Sequence, residues 1–220
     1  MSDVSAPPKD WRSAANVVAA IACATAGVWV LMGGQSVFLL SYVDLGFHEL
    51  GHLVFSWVPG LFPALAGSIV QVAVPVGLAL YFVVRKESYG TGLMLAWAAT
   101  SAAHVSIYAA DAPFQAMTLL GGGTHDWAWV LGSVGHIEWA APLASGIRWS
   151  GVALAAIGLA VAVWPLLTRR AQTRSEARLK AERAAREVAM RAKAPRRDPH
   201  NLPPTIGRRQ APPAAPAGRF

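Results

Sequence analysis

The stretch DLGFHELGH, residues 44–52, places four ionisable side chains inside an otherwise apolar run of this 220-residue chain. On a helix, residues four apart share one face, so His48 and His52 would lie side by side with Glu49 on the neighbouring side. Two neutral imidazoles can hold one metal ion, and a nearby carboxylate can take the proton of a water at an open coordination position. The spacing is that of a zinc hydrolase.

The apolar setting of this stretch strengthens the metal interpretation. An ionised side chain at the centre of a bilayer costs roughly 2.5–3.5 kcal/mol on insertion scales, so four such residues in nine positions need partners. A buried polar contact between helices is the alternative to a metal site.

The motif His48-Glu49-Leu50-Gly51-His52 on a membrane helix resembles the site-2 protease type of intramembrane zinc metalloprotease. The resemblance covers this helix well and the rest of the chain loosely. It implies that His48 and His52 bind Zn²⁺, that Glu49 is the catalytic acid/base, and that the substrate is a membrane-embedded segment. The family takes a third ligand, an aspartate, from a later Leu-Asp-Gly-like motif that this chain lacks, which leaves the third ligand open.

The composition predicts an all-α integral membrane protein. Of the residues 54% are hydrophobic and 14% are charged, whereas about a quarter of the residues of a soluble domain are charged. The single cysteine, Cys23, excludes an intramolecular disulfide and a cysteine-based metal site.

About five transmembrane helices are expected. The first apolar region is too long for one helix across a ~30 Å core, and Gly33-Gly34 divides it. Pro59-Gly60 ends the second span. A re-entrant helix in place of one crossing is the alternative, and it would move the N-terminus to the inside. The predicted spans are Ala14–Met32, Ser36–Val58, Leu61–Val84, Thr91–Ala110 and Trp149–Leu167.

Composition and charge divide the chain into a polar segment (1–13), a transmembrane domain (14–167), which the resemblance implies is metalloprotease-like, and a basic tail (168–220). The tail has fourteen Lys or Arg against four Asp or Glu, a net of +10, and the preceding residues have five against eight, a net of −3. We expect the tail to be helical to about Lys193 and disordered after Pro195.

The basic tail also predicts topology and partners. Basic residues beside the third and fifth spans indicate a cytoplasmic C-terminus, and richness in Ala, Arg and Gly favours a bacterial inner membrane. A tail beside the bilayer binds anionic lipid headgroups at ~1 kcal/mol per basic residue. Docking of a partner is the alternative, and no nucleic acid is expected because aromatic residues do not interleave with the basic ones.

Asp126 is the first choice for the third metal ligand. It follows a triple glycine that lets the backbone bend sharply, and it heads the next apolar stretch, much as the family's ligand aspartate enters a later helix. It could also cap a helix that begins at Trp127. The alternative ligands are His125, Asp111 and His104, in that order.

Asp44 lies one turn before His48 on the same face. We expect its carboxylate to accept a hydrogen bond from the second ring nitrogen of His48 and so fix the tautomer of that imidazole. A bridge from Asp44 to a polar group on the fourth span is the alternative.

These observations favour an intramembrane zinc metallopeptidase that hydrolyses peptide bonds of membrane-embedded substrates. The alternative is a catalytically inactive, metalloprotease-like protein that serves as an assembly factor or an accessory subunit of a membrane complex. The missing aspartate motif and the long basic tail suit that alternative. Haem ligation by a pair such as His52 and His104 is a third class, which the carboxylate beside His48 disfavours.

Overall fold

The computed structural model describes residues 11–34, 37–119 and 123–193, and within these ranges every regular element is helical. The all-α prediction is therefore confirmed for this part of the chain. A 3₁₀ turn at Ile137–Trp139 precedes the last helix. The helices are α1 (Trp11–Leu31), α2 (Phe38–Phe55), α3 (Phe62–Val84), α4 (Ser88–Asp111), α5 (Asp126–Ser133) and α6 (Ala140–Lys193).

Four of the described helices, α1, α3, α4 and α6, are long and apolar enough to cross a membrane, as expected of a membrane protein. The 18 residues of α2 are not among them. That helix carries Asp44, Glu49 and both site histidines, which lower its mean hydropathy. Its length of about 27 Å approaches that of a bilayer core, so a fifth crossing stays a prediction.

The last helix begins earlier than the sequence indicated. It starts at Ala140 rather than near Trp149, so the polar connection after α4 is shorter than predicted and contains α5. Pro142 lies in the first turn of α6, where a missing backbone N–H costs no hydrogen bond.

The chain divides into two units, Met1–Gln172 and Thr173–Phe220. In the second unit the helical residues from Thr173 to Ala192 are exposed and rich in Arg, Lys and Glu, and Arg191 pairs with Glu187 one turn away at 2.9 Å. This is the pattern of a solvated helix. The predicted disorder after Pro195 and the polar start of the chain, residues 1–10, lie outside the described residues.

Helix α4 is the central helix of the first unit. In its apolar window 61% of the residues are buried, against 22–28% in the other three candidate spans. Small residues let α1, α4 and α6 approach closely: a Cβ atom at Gly158 would lie 2.8 Å from Cys23 Sγ and 3.0 Å from Leu95 Cβ. Such contacts between small residues are typical of helix packing in membranes. These contacts hold α4 at the centre of the first unit.

Candidate metal centre

Helix α2 presents the two histidines of the motif to helix α3. His48 and His52 are one turn apart, and their ring centroids are separated by 4.7 Å. Gly51 lies between them, and its missing side chain lets α2 approach the backbone of α3, since a Cβ there would collide with the carbonyl oxygen of Ala66. The close approach brings both imidazoles within reach of α3 groups.

Each histidine is held through its Nδ1 atom. His48 Nδ1 lies 3.2 Å from Gln71 Oε1, and His52 Nδ1 lies 2.8 Å from the carbonyl oxygen of Pro63. The Gln71 amide nitrogen donates to the carbonyl oxygen of Ser101 at 3.5 Å, which turns Oε1 toward His48. Because both partners are acceptors, Nδ1 carries the proton in each ring. In the neutral imidazoles the Nε2 lone pairs are then available as ligands.

Asp126, the first residue of α5, meets both Nε2 atoms. Its Oδ2 lies 3.1 Å from His48 Nε2 and 3.2 Å from His52 Nε2. The Tyr108 hydroxyl on α4 donates to Oδ2 at 3.1 Å and accepts the Asp126 backbone N–H at 3.0 Å. Two elements of the fold thus fix this carboxylate against the histidines.

The contacts of Asp126 also control its protonation. Burial raises the pKa of Asp126, but without a metal ion the hydrogen bond with His48 and the positive charge of His52 and His48 in their protonated forms lower it further, and the Tyr108 hydroxyl adds to this. The net pKa lies below the ordinary value for aspartate. Asp126 is therefore a carboxylate, and it faces two ring nitrogens.

This group can hold a metal ion. One ligand atom from each of His48, His52 and Asp126 lies within 4.8 Å of the others. Ligands on tetrahedral zinc at 2.0–2.1 Å are about 3.3 Å apart, close to the separations of 3.1 and 3.2 Å that Asp126 makes. Lone pairs of two neutral imidazoles and a carboxylate repel one another unless a proton or a metal ion lies among them.

Gly67 on α3 provides space beside the two Nε2 atoms. A Cβ atom at this position would lie 2.6 Å from His52 Nε2 and 2.7 Å from His48 Nε2, too close for any side chain. The absence of a side chain thus keeps open the position that a metal ion would need. The donor set, two imidazoles and one carboxylate, is one that catalytic zinc sites use.

The candidate metal-binding group, His48, His52 and Asp126, lies in the wall of a cavity of about 940 Å³ between α2, α4 and the segment before α5. Glu49 lines the same cavity and is exposed within α2. The volume is at the upper end of the range for small-molecule pockets, enough for a peptide segment. The carboxylate predicted as acid/base therefore faces the space that the metal-binding group faces.

Asp44 does not orient His48, because Gln71 occupies that position. Its Oδ1 instead accepts from Trp97 Nε1 at 2.8 Å and from Ser101 Oγ at 2.7 Å. Its Oδ2 lies 3.3 Å from His104 Nδ1. Asp44 thus bridges α2 and α4, which was the alternative prediction from the sequence. The expected hydrogen bond between Asp44 and His48 is wrong.

The other candidate ligands lie apart from the metal-binding group. His125 caps α5, because its Nδ1 accepts the Ala128 N–H at 3.2 Å, so α5 begins at Asp126 and not at Trp127. Asp111 accepts backbone N–H groups of the following segment and lies 3.4 Å from His125 Nε2. His104 faces Asp44. The structure brings only Asp126, among these candidates, to the motif histidines within the described residues.

Several site residues had no assigned role in the sequence prediction. Gln71 carried a usable signal, since an amide within an apolar span needs a polar partner. Tyr108 lies between the candidates His104 and Asp111 in the sequence and was assigned no role. The roles of the Pro63 carbonyl oxygen and of Gly67 could not be predicted from the sequence. Each depends on the position of a second helix, α2, beside α3.

We compared the chain with protein-family models, with curated proteins and with solved structures, and none of the three comparisons returned a match.

Proposed function

We propose that this chain is an intramembrane zinc metallopeptidase of the site-2 protease type, acting on membrane-embedded segments. One observation carries the proposal: the Nε2 atoms of His48 and His52 converge on Asp126 Oδ2 at 3.1 and 3.2 Å, in the wall of a cavity that Glu49 also lines. The protein thus offers three metal ligands and a free carboxylate on one cavity, the groups that zinc-dependent hydrolysis requires.

Each residue then has a distinct task. His48, His52 and Asp126 would hold the metal ion, and zinc there would supply the Lewis acidity that activates water and polarises a carbonyl group. Glu49 accepts the proton of the water as its oxygen attacks the carbonyl carbon, and it passes this proton to the amide nitrogen as the C–N bond breaks. Tyr108 keeps Asp126 in place through two hydrogen bonds.

The cavity lining supports an apolar substrate. Beside its polar groups, the wall contains aliphatic and thioether side chains from α2, α4 and the segment after α4, namely Leu45, Val105, Ile107, Met117 and Leu119. Two candidate spans, α3 and α4, contribute residues to the same wall. A membrane-embedded segment in an extended conformation fits this chemistry, since its side chains are apolar and its backbone needs polar partners.

The proposal includes a location and lipid partners. The protein would lie in a bacterial inner membrane with its C-terminus in the cytoplasm, where the basic tail binds anionic headgroups. The excess of Lys and Arg after Leu167 supports this orientation.

Two measurements test the proposed function. We expect protein purified in mild detergent to contain about one zinc per chain by elemental analysis. We also expect new protein N-termini, identified by mass spectrometry in membranes of cells that express the chain, to disappear with Glu49→Gln. The matched control is Glu138→Gln, because Glu138 is exposed and pairs with His136 at 2.8 Å.

The same measurements separate the peptidase from the inactive alternative. Full zinc content with an identical set of N-termini in wild type and Glu49→Gln would favour an assembly factor or an accessory subunit that retains the metal. Absence of zinc from wild-type protein would refute the metal centre itself.

A further inference from the structure

A second, smaller cavity also borders His52. Its volume is about 300 Å³, and it is lined by His52, Pro63, Ala64, Thr124, Asp126 and Trp129. Three of these residues, His52, Thr124 and Asp126, also line the larger cavity. The metal-binding group therefore lies at the junction of two cavities.

The two cavities differ in their chemistry. Apart from the shared residues, the smaller cavity is lined by proline, alanine and tryptophan side chains and by no ionisable group within the described residues. The larger cavity is lined by several polar groups, including Glu49, Gln71 and His104. A peptide that crosses the metal-binding group thus places one flank in a large, partly polar space and the other flank against a small apolar surface.

Glu49 fixes the direction of such a peptide. Its carboxylate must reach the amide nitrogen that leaves, and Glu49 lines only the larger cavity. The chain that leaves as the amine therefore occupies the larger cavity. The smaller cavity then remains for the side chain of the residue whose carbonyl is attacked.

We propose that the smaller cavity is the specificity pocket for the residue whose carbonyl is attacked, and that it takes one large apolar side chain. This inference rests on the proposed peptidase function. A volume near 300 Å³ is at the low end for binding pockets and suits a single side chain, such as that of leucine or phenylalanine, rather than a folded segment. The Trp129 ring on α5 and the Ala64 methyl on α3 form its walls.

Ala64→Trp in the full chain tests the pocket, with the residue before each Glu49-dependent cleavage as the readout. The indole fills the cavity, so we expect the preference to change from large apolar residues to Ala or Gly by at least about tenfold, the effect of one misfitted group in an apolar pocket. Zinc content stays at the wild-type value. The control is Ala73→Trp, which places the same ring on the exposed side of α3 outside both cavities.

A second variant guards against misfolding. Trp129→Ala enlarges the pocket, and Trp129 is 44% exposed, so the change removes little buried packing. We expect cleavage after Trp and other bulky residues to increase. If both variants keep zinc and cleave after the same residues as wild type, the smaller cavity is not the specificity pocket. The proposed peptidase function is retained in that case. If wild type shows no cleavage that depends on Glu49, the proposed function fails and this inference fails with it.

Discussion

The α-carbon of Gly67 faces the Nε2 atom of His52, and a Cβ at position 67 would lie 2.6 Å from that nitrogen. This relationship places a glycine on α3 directly beside His48 and His52 of the candidate metal-binding group. A methyl group there would occupy the space between the two imidazoles without removing any ligand.

Gly67→Ala is therefore expected to reduce zinc content to below one tenth of the wild-type value while the protein remains folded. Alanine favours a helix over glycine by up to about 1 kcal/mol, so the helix itself does not suffer. Elemental analysis and thermal unfolding in detergent measure the two effects. Gly77→Ala is the matched control on the same helix, since a Cβ there meets nothing within 4 Å. Full zinc content in Gly67→Ala would show that the metal ion does not lie between the two imidazoles beside Gly67.

Substitutions of Asp126 and Asp111 distinguish a metal ligand from a carboxylate with a structural role. Asp126→Ala removes the oxygen that lies beside both Nε2 atoms, so we expect zinc to be lost. Asp111→Ala releases only the backbone N–H groups of Ala116 and Met117 and the contact with His125, so zinc should remain near one per chain. The opposite result, with zinc lost only in Asp111→Ala, would exclude Asp126 as the third ligand.

Gln71→Leu is expected to weaken zinc binding about 10–100-fold, the usual cost of removing a partner that orients a histidine ligand. The substitution leaves the His48 Nδ1–H without its acceptor, which lies at 3.2 Å. Gln71→Glu retains an acceptor at that place and should bind zinc at least as tightly as wild type. Competition with a chromophoric chelator gives both affinities. Equal affinities for the leucine and wild-type proteins would show that Gln71 does not orient His48.

Tyr108→Phe removes the donor to Asp126 Oδ2 and the acceptor of the Asp126 N–H. A hydrogen bond to a charged group contributes about 1.5–3 kcal/mol, so we expect faster hydrogen exchange at the start of α5 and zinc binding weaker by about tenfold or more. Tyr81→Phe is the control, because Tyr81 is 56% exposed on α3. Unchanged exchange in α5 would mean that other contacts hold Asp126.

One of those other contacts joins α5 to α3. Trp127 Nε1 donates to Ser68 Oγ at 3.1 Å, one residue after Asp126 on α5 and one residue after Gly67 on α3. The contact between α5 and α3 thus helps to place both the Asp126 carboxylate and Gly67 beside the two histidines. If Tyr108→Phe loses zinc while hydrogen exchange in α5 is unchanged, the loss of zinc is due to the missing Tyr108 hydroxyl and not to movement of α5.

The sequence alone determined the features that depend on local periodicity. A run of apolar residues long enough for a bilayer predicts a helix, and a spacing of four places His48 and His52 on one face, because the helical repeat is a property of the backbone. The membrane class, the helical architecture and this pair of histidines therefore follow from the residues in order. Asp126 could be ranked first among four candidates, but nothing local distinguished it from His125 one residue earlier.

Only the tertiary structure decided which groups from other helices meet that face. The approach of α2 to α3 at Gly51 gives His48 the Gln71 amide and His52 the Pro63 carbonyl, and Asp44 meets Ser101 on α4 instead of His48. The cap formed by His125 begins α5 one residue earlier than expected and directs Asp126 into the site. These outcomes depend on distances between segments far apart in the chain, which packing sets and local spacing does not.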